Sequence, residues 1–290
     1  MSSPMVELMK PLMVGAQSSM AAMPVAALPE VVLFSCHQQM PRAPLIYQPS
    51  LILIAQGHKV GYLGDREIHY GPGNYLVQTL PLPFECETFA SPQLPLLGLS
   101  VRIDPVMLAE LVGESGPVQD LGSPSPMASV AMTPAMEGAA IRLLECLQDE
   151  RDVRVLGKGR VRELIYQALK GEQGPALRAL VQGQGHYARI VQVLTLMNNK
   201  LDEEFKVEQL AGQANMSLSS FHQHFKDVTQ SSPLQYLKRL RLLKAQLLLS
   251  QDSLNVGQTA AAVGYGSVNQ FSRDYKRYFG TSPNNERRSA

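Results

Sequence analysis

Two groups of polar side chains stand at spacings that suit one kind of chemistry, the reading of a hydrogen-bonding polymer. The first is Ser219, His222, Gln223 and Lys226; the second is Asn269, Ser272, Arg273 and Lys276. At about 100° per residue each group gathers on one side of a helix. Leu218, Phe221, Phe225 and Val228 gather on the other side of the first helix, and Val268, Phe271, Tyr275 and Tyr278 on that of the second. Each polar face offers two or three hydrogen-bonding side chains and a lysine. Such a face suits the major groove of duplex DNA, where a bidentate Arg reads guanine and Asn or Gln reads adenine. The lysine, further along the helix, suits phosphate. One such helix is more simply a solvated surface; two matched ones are not explained by solvation alone.

The two helices belong to a repeat. Val207-Glu-Gln-Leu-Ala211 aligns with Val256-Gly-Gln-Thr-Ala260 at an offset of 49. Phe221, Phe225, Lys226, Ser232 and Pro233 then align with Phe271, Tyr275, Lys276, Ser282 and Pro283 at an offset of 50. Each copy reads as a short helix, a tight break at Asn215-Met216 or Gly264-Tyr265-Gly266, and a second helix capped by Ser217 or Ser267. Helix, short turn, helix is the helix-turn-helix pattern. Between the copies, Pro233 to Ser250 carries Leu237, Leu240, Leu243, Leu247 and Leu248 on an apolar stripe. A helix of that length spans roughly 27 Å, enough to hold two reading helices about one turn of B-DNA apart. Lys238, Arg239, Arg241 and Lys244 lie on this connector; some are expected to touch phosphate and some to keep its outer side wet.

Charge follows the same division. Residues 186–290 hold 13 Lys and Arg against 8 Asp and Glu, while the first 185 residues carry a net −4. A basic C-terminal third on an acidic chain points to a polyanion partner. The 290 residues suit two domains, and 45% hydrophobic with 18% charged residues allows packed cores. No run approaches a membrane span. The uncharged stretch from Pro11 to Pro29 reads as a loose arm rather than a secretory signal.

Cys36, Cys86 and Cys146 make no disulfide framework and show no CxxC spacing, which fits a reducing, cytosolic setting. Cys36 and Cys86 are small buried hydrophobes in the simpler reading, sensors of electrophiles or oxidants in the sharper one. His37, His58 and His69 lack the spacing of a metal centre, and His222 and His224 sit about 200° apart on a helix, too far round to grip one ion. No GxSxG-type nucleophile signature is present. No cofactor, metal or catalytic residue is therefore expected.

The elements before residue 186 are of a different kind. From Leu45 to about Ile103, short apolar runs alternate with turn signals at Gly61, Gly64-Asp65 and Gly71-Pro72-Gly73, which predicts an antiparallel sandwich or barrel. Asp104 and Pro105 open a helix over 104–112, and 113–134 reads as a loop. Two helices are expected over roughly 134–149 and 155–171. Their stripes, Ile141, Leu144 and Leu147, then Leu164, Ile165 and Leu169, suit either internal core or a dimer face.

SFHQHFKDVTQSSPLQYLKRLRLLKAQLLL and AAAVGYGSVNQFSRDYKRYFGTSP carry a family likeness: the C-terminal third resembles the DNA-binding domain of AraC/XylS-type bacterial transcription regulators. The resemblance implies base contacts from Ser219, His222 and Gln223 in the first unit and from Asn269, Gln270, Ser272 and Arg273 in the second. Phosphate contacts are assigned to Ser217, Lys226, Lys238, Arg239, Ser267 and Lys276. The tail Asn284-Asn285-Glu286-Arg287-Arg288 departs from the family in lacking an aromatic residue. YQPSLILIAQGHKVGYLG and YGPGNYLV resemble an N-terminal type of the same family, which implies a small cupin-like β-barrel followed by helices, for effector sensing or dimerisation.

The expected fold is thus α+β in two domains: an N-terminal cupin-like antiparallel β-barrel with following helices, and an all-α C-terminal domain of two helix-turn-helix units joined by a long helix. The expected division is an N-terminal arm (1–43), the barrel (44–132), linker helices (133–185) and the DNA-binding domain (186–290). Expected partners are promoter or operator DNA, a small-molecule effector, a second copy of the chain, and RNA polymerase as the usual family partner; no membrane is expected. The alternatives are a small-molecule-binding or catalytic barrel with an incidental helical tail, and a nonspecific architectural DNA binder. The first leaves the repeat unexplained, and the second calls for more net charge and no barrel.

Overall fold

A computed structural model describes residues 3–13, 20–116, 124–183, 185–250 and 254–289. The chain opens with helix α1 (Pro4–Leu12), followed by strands β1 (Met20–Val25), β2 (Leu28–Cys36), β3 (Met40–Ile46), β4 (Ser50–Gln56), β5 (His58–Leu63), β6 (Arg66–Tyr70), β7 (Asn74–Gln78), β8 (Pro83–Phe89) and β9 (Leu96–Arg102). Helix α2 (Pro105–Ser115) and strand β10 (Met127–Ala131) come next, then α3 (Pro134–Cys146), α4 (Glu150–Leu169) and α5 (Gly174–Gln182). The last third is α6 (Gly185–Asn199), α7 (Val207–Gln213), α8 (Leu218–Thr229), α9 (Pro233–Ser250), α10 (Val256–Ala262), α11 (Val268–Phe279) and α12 (Pro283–Ser289). The α+β expectation holds, with antiparallel sheets first and a helical domain after. No described helix is long and apolar enough to cross a membrane.

The strands form two antiparallel sheets, ordered β1-β2-β9-β4-β7-β10 and β3-β8-β5-β6. Strand β4, SLILIAQ, shows why its apolar run is continuous rather than alternating. Leu51 and Leu53 face the helices α1 to α5, while Ile52 and Ile54 face the second sheet, so both sides of the strand are buried. The helices supply Met5, Met9, Met136, Leu143, Leu164 and Ile165 to the first of these cores. Leu144, Leu164, Ile165 and Leu169 are buried there, so these stripes are internal core rather than a dimer face.

Two local expectations fail. The segment expected as an N-terminal arm, 1–43, contains α1, β1, β2 and most of β3. Met5, Val6 and Met9 are spaced to put one apolar helical face on the core, and prolines within β1, β2 and β3 had masked their strand pattern. The stretch 113–134, read as a loop, contributes the end of α2 and strand β10, which pairs with β7 through Val130↔Tyr75 and Met127↔Gln78. Its five residues, MASVA, carry too few β-branched side chains to announce a strand; the free edge of β7 selects the conformation. Helix α2 starts as expected, with the Asp104 carboxylate accepting from the amides of Val106 and Met107.

The second sheet and the first helix-turn-helix unit share one core. Ile54, Leu76, Phe84 and Met127 from the sandwich join Ile190, Leu194, Phe221, Phe225 and Tyr236 in a single buried cluster. Tyr236 at the start of α9 donates to the Pro81 carbonyl at 3.1 Å, and Thr79 and Tyr187 hydroxyls meet at 2.9 Å. The second unit has its own core, formed by Leu242, Leu249, Val263, Phe271 and Tyr275. Helix α9 therefore serves two cores, one at each end.

Candidate nucleic-acid interface

The two units repeat at the level of backbone torsions. After α7, Asn215 takes a left-handed φ of 50° and the Met216 amide returns to the Ala211 carbonyl; after α10, Gly264 has φ 77° and the Tyr265 amide returns to Ala260. Helices α8 and α11 both run for 12 residues. Both end on a left-handed residue, Gln230 (φ 54°) and Gly280 (φ 77°). Both open on the expected serine cap: Ser217 Oγ accepts from the Ser220 amide at 3.3 Å and Ser267 Oγ from the Gln270 amide at 3.4 Å. Each helix is seated by a matched aromatic pair, Phe221–Phe225 at 5.4 Å and Phe271–Tyr275 at 5.6 Å between ring centres.

The buried stripe is shorter than the helical wheel implies. Leu218 is 42% exposed and Val268 45%, because the first residue of each helix projects beyond the core it enters. Ser219, His222, Gln223, Lys226, Asn269, Gln270, Arg273 and Lys276 are exposed, and Ser272 is half-buried. Gln223 is held by a hydrogen bond from its amide to Asp227 at 2.8 Å. Arg273 lines a shallow pocket with Gln270, Lys238, Asp274 and Arg277.

The connector cations differ in what they hold. Arg239 and Lys244 face solvent. Lys238 reaches the buried Asp274 carboxylate at 2.7 Å, and Arg277 pairs with the same oxygen. Burial alone would raise the Asp274 carboxyl, but hydrogen bonds from Lys238 and Arg277 outweigh it and hold the group below its ordinary value. Arg241 is a clasp within the protein: its guanidinium donates to the carbonyls of Leu201 at 2.7 Å and Glu203 at 2.8 Å.

Sequence reasoning missed the residues that seat α8 and α11. Asp274 pins α11 to α9, and at the equivalent place in the first unit His224 stacks on His186 of α6, ring centres 4.3 Å apart. The offset of 50 between His224 and Asp274 was readable, but unlike side chains at equivalent positions gave no sign of a shared role. The tail forms α12 without the family's aromatic residue, and Glu286 accepts from Gln246 of α9 at 3.2 Å. Among the described residues no three metal-ligating side chains cluster, and all three cysteines are free and buried.

An antiparallel sandwich followed by two helix-turn-helix units on one connector defines a two-domain protein of the double helix-turn-helix class. Its family follows from sequence. The AraC-type transcriptional regulator N-terminus profile matches residues 27–176, and a helix-turn-helix domain profile matches residues 210–289. The chain belongs to the AraC-type transcriptional regulators. It is similar to the HTH-type transcriptional regulator GbdR of Pseudomonas aeruginosa, with 31% identity over 124 residues, 42% of this chain and 34% of GbdR. It is similar also to the HTH-type transcriptional activator RhaS of Citrobacter koseri, with 36% identity over 96 residues, 33% of this chain and 34% of RhaS. The chain thus spans about a third of the length of these curated relatives. Among solved structures, ToxT from Vibrio cholerae shares the fold at a TM-score of 0.61 and 11% identity, over 88% of this chain and 96% of ToxT.

Proposed function

We propose that the protein is a sequence-specific DNA-binding transcription regulator, responsive to an effector through its N-terminal sandwich. One observation carries the reading: two helices with the same caps, breaks and aromatic seats both present exposed polar faces. Ser219, His222, Gln223, Asn269, Gln270, Ser272 and Arg273 read base edges. Lys226, Lys276 and Arg239 hold phosphate, as do the serine caps Ser217 and Ser267, which stand at helix N-termini where backbone amides also favour an anion. Lys238 joins them from its place beside Asp274. The functional division falls near residue 186, with the sandwich and α3–α5 as the sensing part. A homodimer, RNA polymerase and a cytoplasmic location complete the reading, with no catalytic role.

The test is a shift assay on DNA fragments recovered by genome-wide mapping of the bound chain. Binding that survives excess random duplex supports specific readout. Binding abolished by that competitor makes the protein an architectural binder instead.

A further inference from the structure

Lys59 lies between the two sheets, 5% exposed, on the inner face of β5. Its ammonium donates to the Tyr47 hydroxyl at 2.9 Å and sits 5.8 Å from the centre of the Phe34 ring on the opposite sheet. No carboxylate among the described residues pairs with it. Burial lowers the pKa of such a group, but the neighbouring Tyr47 and Cys86 outweigh it and keep Lys59 above its ordinary value. The amine is thus enclosed in an apolar sandwich with no carboxylate beside it, where its charged form costs free energy unless an anion arrives.

A second group points to the same interior. Gln78, fully buried at the end of β7, uses its amide nitrogen on the carbonyls of Tyr47 at 3.3 Å and Leu80 at 3.0 Å. Its Oε1 has no hydrogen-bond partner. Tyr47 thus ties both groups together, one through its hydroxyl and the other through its carbonyl. The remaining walls are the rings of Phe34 and Phe84, and Tyr70, whose hydroxyl meets Cys86 Sγ at 3.4 Å. Phe34, Leu45 and Tyr47 beside this interior stay half-buried.

We propose that this interior binds a small organic acid, its carboxylate on Lys59 and a hydroxyl or N–H of its body on Gln78 Oε1, with an apolar part against Phe34 and Phe84. The inference rests on the regulator reading and gives the effector a chemical class. It also gives the signal a route. Gln78 is followed by Thr79, which meets Tyr187 of α6, and by Pro81, which accepts from Tyr236 of α9. A ligand that moves Gln78 pulls on the segment that holds the first reading unit. It shifts DNA affinity to the extent that it prefers one position of that segment.

The experiment uses the full chain, which has no tryptophan, so a fluorescent acid can be followed without tryptophan background. The probes are 2-naphthoate, its neutral amide 2-naphthamide, and non-fluorescent benzoate and mandelate as competitors. At least tenfold tighter binding of naphthoate than of naphthamide is expected, with displacement by mandelate ahead of benzoate. Lys59→Met and Lys59→Gln, the first close in shape to lysine, should both erase the preference for the acid while melting no lower than the parent. Equal binding of acid and amide, no binding of any acid up to millimolar concentration, or an unchanged preference in both Lys59 variants overturns the proposal. The same samples are assayed on mapped operator DNA. Retained operator binding without acid binding sinks the acid site alone, whereas absence of operator binding sinks the regulator reading.

Discussion

Lys238 of α9 and Asp274 of α11 meet at 2.7 Å, and the carboxylate is almost wholly buried. The pair joins α9 to α11, with Arg277 on the same oxygen and the Tyr265 hydroxyl at 3.5 Å from the other. It fixes the rotation of α11 and so decides which of its side chains face outward.

Asp274→Asn should destabilise the second unit by about 1–3 kcal/mol, since Lys238 and Arg277 lose a charged acceptor but keep access to water. Because the folded carboxyl lies below its ordinary value, its contribution is present above the unfolded pKa near 4 and fades as pH falls through the folded one. Melting curves at neutral pH and near pH 3 check this: the gap between parent and variant should narrow in acid. A gap that widened in acid would contradict the assignment.

If Arg273 reads a base and Lys276 holds phosphate, their substitutions differ in kind. Arg273→Ala should cost about 1–3 kcal/mol on the mapped operator and relax preference at one base pair. Lys276→Ala should weaken all sequences alike and reduce the salt slope by about one unit. Affinities for single-base operator variants at several salt concentrations provide the measurement. An even loss across variants for Arg273→Ala would mean that the arginine holds phosphate and that α11 presents a different face.

Tyr236→Phe removes a buried donor to the Pro81 carbonyl and leaves that acceptor unpaired. The expected cost is about 1–2 kcal/mol. Hydrogen exchange should accelerate in α6 and α8 but not in α10 and α11, because only the first unit shares the sandwich core. Uniform acceleration would show instead that the two units open together.

The turn glycines should not respond alike. Gly280→Asn should cost under about 1 kcal/mol, since Gln230 occupies the equivalent left-handed position and the space around Gly280 is open. Gly264→Asn should cost more, because a Cβ there would stand 2.8 Å from the Leu201 carbonyl oxygen and 2.9 Å from the Asp202 Cα. Thermal melts of the two variants rank them, and equal losses would place the strain in the torsion rather than in the contact.

Removing residues 1–185 tests the assembly. If the sandwich supplies a dimer contact, the remaining fragment should lose more affinity for a paired site than for a single site, through lost effective concentration. It should also melt in two steps, with the first unit weaker, because Ile190, Phe225 and Tyr236 lose their partners in the sandwich. Equal losses on both sites would leave sensing as the role of the N-terminal part.

What the sequence determined by itself is local. Serine caps, the offset of 49 to 50 residues, the Pro233–Ser250 helix and the outward faces of α8 and α11 depend on side chains one or two turns apart, so periodicity and capping reveal them. Tertiary structure decided whatever depends on a distant partner. Residues 4–12 become a helix on the core only because β4 and β9 and the helix α3 offer it an apolar surface, and 127–131 become a strand only because β7 has a free edge. Lys59 looks like an ordinary strand lysine until the pleat turns it inward, and Asp274 like an ordinary helix acid until α9 closes over it. Sequence spacing locates a side chain on its own element; only the packing of elements sets whether water or protein stands opposite, and with it the energy of every polar group.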